Sequence, residues 1–332
     1  MKSTMRKLMK PALLRALLLA AVSIPCLTAA AAEFVVFVVD GITYSDLGTN
    51  AVAVTDFSEN VKDAVIPETV KYKGRNYAVI AVKLDYWKKS SSELTTLSTP
   101  ASVVEIEYSG FNAYNYSAEA LFPKLKAVNV SADNPSYSSQ DGVLYNKSKT
   151  MLLSMPKASE LTNFDIPQSV TSIADDAFQG CTMLESVSFP ASVTSIGSYA
   201  FRGCTSLESV SFPASVTTID DYAFSGCTAL ESVSIPASVT TIGDSAFLDC
   251  TSLVSITIPN SVTKIGSSAF GGLCRTVTVT CEATEPVELE SGQPFSEMTL
   301  MYGTLYVPMG SKQKYRNAEG WSDFDNIKEI GE

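Results

Sequence analysis

The sequence predicts a β-rich α/β solenoid with a cap at each end, and three observations carry that prediction. First, from Ser169 to about Thr280 one pattern is written out in successive copies of equal length: SVTSIADDAFQGCTMLESVSFPA, SVTSIGSYAFRGCTSLESVSFPA, SVTTIDDYAFSGCTALESVSIPA and SVTTIGDSAFLDCTSLVSITIPN, with a fifth copy from Ser261 that decays after Phe270. A fixed period in the twenties, here 23, is the signature of stacked coils. Second, the apolar positions recur without slippage: leucine at 161, 184, 207, 230 and 253, proline at 167, 190, 213, 236 and 259, phenylalanine at 178, 201, 224, 247 and 270. Third, the chain has 332 residues, long for one globular core, and a stack escapes that limit because each coil packs only on its neighbours.

Within the copy beginning at Ser192, Val210 and Phe212 alternate with Ser209 and Ser211, a period of two that marks a strand with one buried face. Pro213 ends ladder pairing because it has no N–H. Val193 to Ile196 reads as a second extended or turn segment. Gly197 allows a tight bend, and Tyr199-Ala200-Phe201 reads as a helical or 3₁₀ turn before Gly203-Cys204. Apolar burial within one coil falls short of the entropy of ordering its backbone, so contacts between coils must supply the balance.

Further out, Val65-Ile66-Pro67 and Pro100 to Ile106 are weaker echoes of the repeat, and Leu125, Val128 and Val130 again show the strand spacing. Asp40-Gly41 and Asp141-Gly142, each between extended runs, are hairpin signals, since both residue types take positive φ. LYVP at 305–308 reads as one last short strand, and Trp321, Phe324, Ile327 and Ile330 at steps of three suit a short helix or turn covering the final coil. The expected organisation is a signal peptide over 1–32, an N-terminal β-rich cap with a degenerate repeat over 33–95, the solenoid over 96–280 with regular copies from 161, and a C-terminal cap over 281–332.

The leader reading rests on Lys2, Arg6, Lys7, Lys10 and Arg15 followed by the apolar run Leu17 to Leu27 and the small residues of Thr28 to Ala32. A lipid anchor on Cys26 is the less favoured alternative, because Ser23-Ile24-Pro25 precedes it rather than a small residue. Removing the leader's five basic residues takes the net charge from −11 to −16. Such a surface repels phosphate backbones and argues against nucleic-acid binding. No later run is long enough for a transmembrane segment. Histidine is absent, which removes the side chain best suited to proton transfer near neutral pH and the commonest metal ligand. No catalytic constellation, cofactor motif or metal spacing is present, so the expectation is a protein that is not an enzyme. The paired acids Asp175-Asp176 and Asp220-Asp221 interchange with glycine in other copies, which fits a turn better than acid–base work.

The pattern L-x-x-V-x-[FI]-P-x-x-V-x-x-I-x-x-x-A-F-x-x-C, repeated through four successive copies, resembles the bacterial surface leucine-rich repeats of the BspA type, also called the Treponema pallidum type. The resemblance implies leucine-rich repeats in a curved stack, with the L-x-x-V-x-F strands on the concave side. It also implies adhesion to host matrix proteins or other cells, at the cell surface or after secretion. An extracellular glycan-binding protein is the alternative.

Candidate sites follow from the columns. The outward strip of Glu185, Ser188, Glu208, Ser211, Glu231, Ser234 and Thr257, with Ser186, Ser209, Ser232 and Ser255 beside it, is the expected docking surface for protein or glycan. The stacked glutamates could share a cation such as Ca²⁺, against the simpler reading of a solvated acidic stripe. Cys181, Cys204, Cys227 and Cys250 form a column within disulfide range. Cysteine is also a small buried hydrophobe, and the resemblance makes the position a core ladder. Cys274 and Cys281 break the period and could pair. Tyr108, Phe111, Tyr114, Tyr116 and Tyr137 are a second candidate patch, most of it expected in cap or core.

Overall fold

The computed structural model describes residues 35–84, 93–111, 122–289 and 292–332. The expected leader, with Cys26, lies outside these residues, as do Tyr114 and Tyr116. Val36–Glu332 form one compact unit.

The chain opens with the antiparallel strands Val36–Val39, Ile42–Gly48 and Ala51–Phe57. The third of these pairs in parallel with Arg75–Val82, which pairs antiparallel with Thr69–Tyr72 and in parallel with Glu105–Ile106. Asp40-Gly41 turns the first hairpin at φ 50° and 76°, and Asp141-Gly142 turns another at φ 53° and 78°, as the dipeptides predict. The antiparallel layer closes on an aromatic cluster in which Phe37 stacks on Tyr72 at 4.2 Å between centroids.

From there the coils stack in parallel. One row of strands runs Asp63–Val65, Thr96–Thr99, Ala127–Val130. It resumes as Asn163–Asp165, Ser186–Ser188, Ser209–Ser211, Ser232–Ser234, and again from Ser255–Ile258. A second row is a nine-stranded sheet that starts with the strands Tyr137–Gln140, Val143–Asn146 and Met151–Ser154. It continues through the Ser-Ile and Thr-Ile pairs at 172, 195, 218 and 241 to Lys264–Ile265 and Glu288–Leu289. The extended segment expected at Val193 to Ile196 is therefore a two-residue strand, Ser195–Ile196, of a continuous ladder.

The third side of the coil meets the expectation of a helical or 3₁₀ turn in part. Around Tyr199 to Phe201 the backbone makes successive tight turns closed by i→i+3 bonds, not a continuous helix. Arg202 N–H bonds to Tyr199 O and Cys204 N–H to Phe201 O, while the alternate N–H groups of Tyr199, Phe201 and Gly203 donate to Asp221, Ala223 and Ser225 of the next coil at 2.7–2.9 Å. A continuing helix would direct its N–H groups beyond the first turn back into its own segment, whereas here alternate ones tie coil to coil.

Inside, the repeated residues form continuous files. Leu184, Leu207, Leu230 and Leu253 are fully buried. Leu161 stays partly exposed because the strand row is interrupted between Ala127–Val130 and Asn163–Asp165. The rings of Phe178, Phe201, Phe224, Phe247, Phe270 and Phe295 stack almost parallel at centroid spacings of 4.6, 5.0, 5.5, 5.8 and 5.5 Å, close to the ~4.8 Å between neighbouring strands.

The file of phenylalanines continues into the segment where the sequence period is lost. Ser255 faces Thr278 across one regular period, Thr278 faces Thr304 across a longer offset, and Leu305 faces Ile327 across a slightly shorter one. The longest of these coils holds the unforeseen helix Glu297–Tyr302, whose first turn is capped by Ser296 Oγ accepting the Thr299 N–H. LYVP supplies the strand Thr304–Val307, but it is not the last strand. Trp321 and Phe324 occupy a turn that ends the ring file, with Phe324 edge-on to Phe295 at 5.0 Å. Ile327 belongs to the strand Ile327–Glu329, and Ile330 is exposed. The step of three is thus a turn running into a strand, not a helix.

The paired acids are explained by the same stacking. Asp175, Asp221 and Asp244 each accept, through Oδ1, the N–H of a residue one period further on, Ser198, Asp244 and Ser267, at 2.7–2.9 Å. The residue before each donor N–H is glycine: a Cβ at Gly197, Gly243 or Gly266 would lie 2.4–2.5 Å from that carboxylate oxygen and 2.5–2.7 Å from the same aspartate's backbone nitrogen. Asp220 can carry a side chain because the coil before it offers Ser198 in place of an aspartate. Glycine is required where the preceding coil reaches up with a carboxylate. Gly243→Ala should therefore lower stability by about 1–3 kcal/mol through overpacking, whereas Asp220→Gly should change it by less than about 1 kcal/mol. Urea unfolding of both variants is the check, and equal midpoints would contradict the rule.

Candidate binding face

Strand alternation places Val187 and Val210 inward and the residues either side of them outward. The outward columns are continuous within each sheet: Asn163, Ser186, Ser209 and Ser232 in one, and Ser211 with Ser234 beside it. In the next sheet Thr257, Thr280 and Tyr306 follow one another, with Lys328 after them. Asp165 lies beside Ser188 at the start. Ser188, Ser211, Ser234 and Thr257 are all exposed.

The hydroxyls of this face differ from two columns elsewhere on the coil that join one coil to the next. Ser192, Ser215, Ser238 and Ser261 donate to the carbonyls of Val170, Val193, Val216 and Val239 at 2.5–2.7 Å. Thr171, Thr194, Thr240 and Thr263 donate to the preceding coil at 3.1–3.3 Å. On the outward face Ser186 bonds to Asn163 Oδ1 at 2.6 Å. Among the described residues, the hydroxyls of Ser188, Ser209, Ser211, Ser232, Ser234, Ser255 and Thr257 make no hydrogen bond within the chain.

Glu185, Glu208 and Glu231 flank this face, exposed and stacked through backbone bonds from Glu208 N–H to Glu185 O at 3.1 Å and from Glu231 N–H to Glu208 O at 2.9 Å. In the following coil Val254, 60% exposed, replaces the glutamate. At the same place the ladder is interrupted, since Ser232–Ser234 and Ser255–Ile258 belong to different sheets. Among the described residues no group of three or more acidic or cysteine side chains is disposed to hold a metal ion.

The cysteine column is a hydrogen-bonding file. The thiols of Cys204, Cys227 and Cys250 donate to the carbonyls of Phe178, Phe201 and Phe224 at 3.1–3.3 Å, and Cys181 to Met155 O at 3.5 Å. Each thiol points at the backbone of the coil before it rather than at the next sulfur, and all four are free. Burial pushes the thiols of Cys181 and Cys250 up to about 12, and raises those of Cys204 and Cys227 strongly. Cys281 is not bridged to Cys274: its sulfur accepts the Tyr315 hydroxyl at 3.0 Å. At the start of the column lie Lys157, 8% exposed, and Asp176, whose carboxylate accepts a bond from Gln179 at 2.7 Å. Burial, helped by Asp175, raises Asp176 to about 6 against the opposing pull of Arg202 and Lys157.

The tyrosine patch does not assemble as a surface. Phe111 is fully buried against Phe122, Tyr137 takes the Ile106 N–H on its hydroxyl at 3.0 Å, and Tyr108 is half-buried in a 3₁₀ turn. The structure adds Asp165, Thr280 and Tyr306 to the outward columns. Thr280 follows Thr257 by one period and was legible from it; Tyr306 lies across the longer offset and was not.

Parallel coils with a file of leucines behind one strand row define a leucine-rich-repeat solenoid. Its regular part can be placed more closely: residues 156–278 match the BspA type Leucine rich repeat region in six copies, and this segment belongs to that family. Among solved structures, the chain is similar to a leucine rich cell surface protein from Faecalibacterium prausnitzii at 22% identity, covering 80% of this chain and 97% of that one, with a TM-score of 0.47. It is also similar to the pneumococcal vaccine antigen PcpA at 15% identity, covering 90% and 98%, TM-score 0.45. The leucine rich repeat protein of T. pallidum matches at 28% identity over 50% of this chain and 86% of that one, TM-score 0.38. No curated protein matches the sequence. Among the described residues no helix is long and apolar enough to cross a membrane.

Two measurements check this geometry. Thiol labelling of the native protein at pH 8 should modify Cys274, which is half-buried, and leave the buried column untouched, while denatured, unreduced protein should show all six thiols of the described residues. Because Asp176 holds its proton more tightly folded than unfolded, its stabilising contribution is complete below about 3.8 and is lost as pH rises through about 6. The urea midpoint should accordingly fall more steeply across that interval for the native sequence than for Asp176→Asn.

Proposed function

We propose that this chain is a secreted or cell-surface interaction protein that holds a partner protein on the outward face of its strand row, and that it acts by binding without chemistry. The observation that supports this reading is the contrast between two classes of hydroxyl. The columns of Ser192 and Thr194 are engaged in joining coils, while Ser188, Ser211, Ser234 and Thr257 form an outward set that is exposed and unengaged. Solvation alone would satisfy them, but their placement in straight columns on a rigid ladder gives a partner's polar groups a fixed set of donors and acceptors at little entropic cost. The flanking Glu185, Glu208 and Glu231 add charge that favours encounter with basic partners. Adhesion to extracellular-matrix protein or to other cells is the role this face suits.

The test is binding of the full chain to a panel of purified extracellular-matrix proteins and, in parallel, to a glycan array. The native chain is compared with Ser211→Arg and Ser234→Arg, which place a bulky side chain on the face without touching the core. Retention of a matrix protein by the native chain, weakened about tenfold or more by either substitution, is the expected result. Undiminished binding by both variants would move the site off this face, and binding to glycans alone would replace the protein partner by a carbohydrate.

A further inference from the structure

The outward face of the strand row changes character where its ladder breaks. The strands from Asn163–Asp165 to Ser232–Ser234 form one sheet, and those from Ser255–Ile258 to Ile327–Glu329 form another. The first sheet presents small hydroxyls with exposed carboxylates, Asp165 at its start and Glu185, Glu208 and Glu231 along its flank. In the second sheet the flank is Val254 and then the buried Val277, and no outward position is acidic. Its outward column runs from Thr257 through Thr280 and Tyr306 to Lys328.

Tyr306 is the one aromatic residue in the outward columns of these two sheets. Leu305 and Val307 on either side of it are buried, so alternation along the strand turns the tyrosine outward, where it is half-exposed. The column before it holds only serine and threonine, and the ring stands at the end of that low floor. Among the described residues Tyr306 makes no aromatic pair and no hydrogen bond, and its cross-strand neighbour Lys328 makes no ion pair. Tyr315, by contrast, is buried and spends its hydroxyl on Ala283 O at 2.8 Å. The hydroxyl columns repeat from coil to coil, so by themselves they would accept a partner in several equivalent registers. A residue that breaks the repeat is what can fix one of them. Tyrosine suits that role, because it offers a large rigid contact area and a polar tip at small entropic cost.

We propose that Tyr306 is the anchor of this face, and that the partner protein lays along it an extended segment with two unlike ends. An apolar side chain rests on Tyr306 with a carboxylate beside it for Lys328, and basic residues lie over Glu208 and Glu231. This rests on the reading of the face as the binding surface. Opposite charges at its two ends orient the segment along the stack. Glu231 lies three strand steps from Tyr306 and three residues before Ser234 in its own coil. At ~4.8 Å per strand and ~3.3 Å per residue the diagonal is about 17 Å, which an extended chain covers in about five or six residues.

Two end-blocked peptides of one composition, Arg-Arg-Gly-Ser-Gly-Ser-Phe-Asp and Arg-Arg-Phe-Asp-Gly-Ser-Gly-Ser, titrated into the full chain, test the proposal. The reverse of the first is included, since either chain sense spans the same two ends. The spaced peptide, in one of its senses, should bind about fivefold or more tighter than the clustered one. Tyr306→Thr, which installs a residue its column already carries, should abolish that preference. Lys328→Gln, a second variant outside the core, should reduce it about twofold. Absence of binding, equal binding of spaced and clustered peptides, or a preference undiminished in either variant overturns the proposal. The matrix-protein panel separates this outcome from failure of the face itself. If Ser211→Arg or Ser234→Arg weakens retention and Tyr306→Thr does not, the face stands and the anchor falls; if none of the three weakens it, both fall.

Discussion

Each regular coil leaves many of its backbone N–H and C=O groups, those of its strands and alternate ones of its turns, without partners inside the coil. The coil before and the coil after answer them, along two strand rows and along the turns, where alternate N–H groups cross from Tyr199, Phe201 and Gly203 to the next copy. Buried backbone groups cannot be left unpaired without a cost comparable to a lost hydrogen bond. A change of length inside the regular coils would therefore displace all of these ladders at once. That obligation holds the regular copies to a single length. It also carries the side chains with it: the phenylalanine rings stack because the ladders bring each one over the last, and the cysteine thiols find carbonyls because each coil presents the same carbonyl in the same place.

The obligation relaxes where another device takes over. Between Thr278 and Thr304 the offset outgrows the regular period, and the capped helix Glu297–Tyr302 absorbs the difference while the strands on either side remain paired. The file of rings ends where Trp321 and Phe324 lie across Phe295, which gives the last parallel ring a partner without requiring another coil. At the other end antiparallel hairpins built on Asp-Gly and Lys-Gly turns do the corresponding work. The candidate binding face inherits its order from the same source. Its hydroxyls stand in columns because the strands behind them are in register, and the backbone of those strands is already paired from coil to coil.

How much of this was legible depends on the kind of information each feature needs. The strand at Ser209–Ser211, the proline that ends it, the buried leucine and phenylalanine files and both Asp-Gly hairpins follow from local alternation, from backbone preferences and from a constant period. The residues of the outward strip were legible for the same reason as far as Thr280. What escaped depends on contacts between coils whose geometry a period does not state. Tyr306 joins the strip across an irregular offset. The turn at Tyr199 to Phe201 looks helical by its spacing, but its N–H groups are divided between two coils. Cys281 was open to pairing with Cys274 until Tyr315, more than a full coil further on, proved to hold its sulfur.

The sequence by itself determined the architecture, because a constant period with invariant apolar letters admits stacking and little else. Only the tertiary structure decided which polar letters remain unengaged by the coils themselves. Ser192 and Ser211 are the same residue type in the same copy, and nothing local separates them. One lies within reach of a carbonyl of the preceding coil and donates to it; the other stands on the outer side of a strand whose backbone is already paired. A hydroxyl's availability is a property of what the neighbouring coil presents to it, and that neighbour exists only once the coils are stacked.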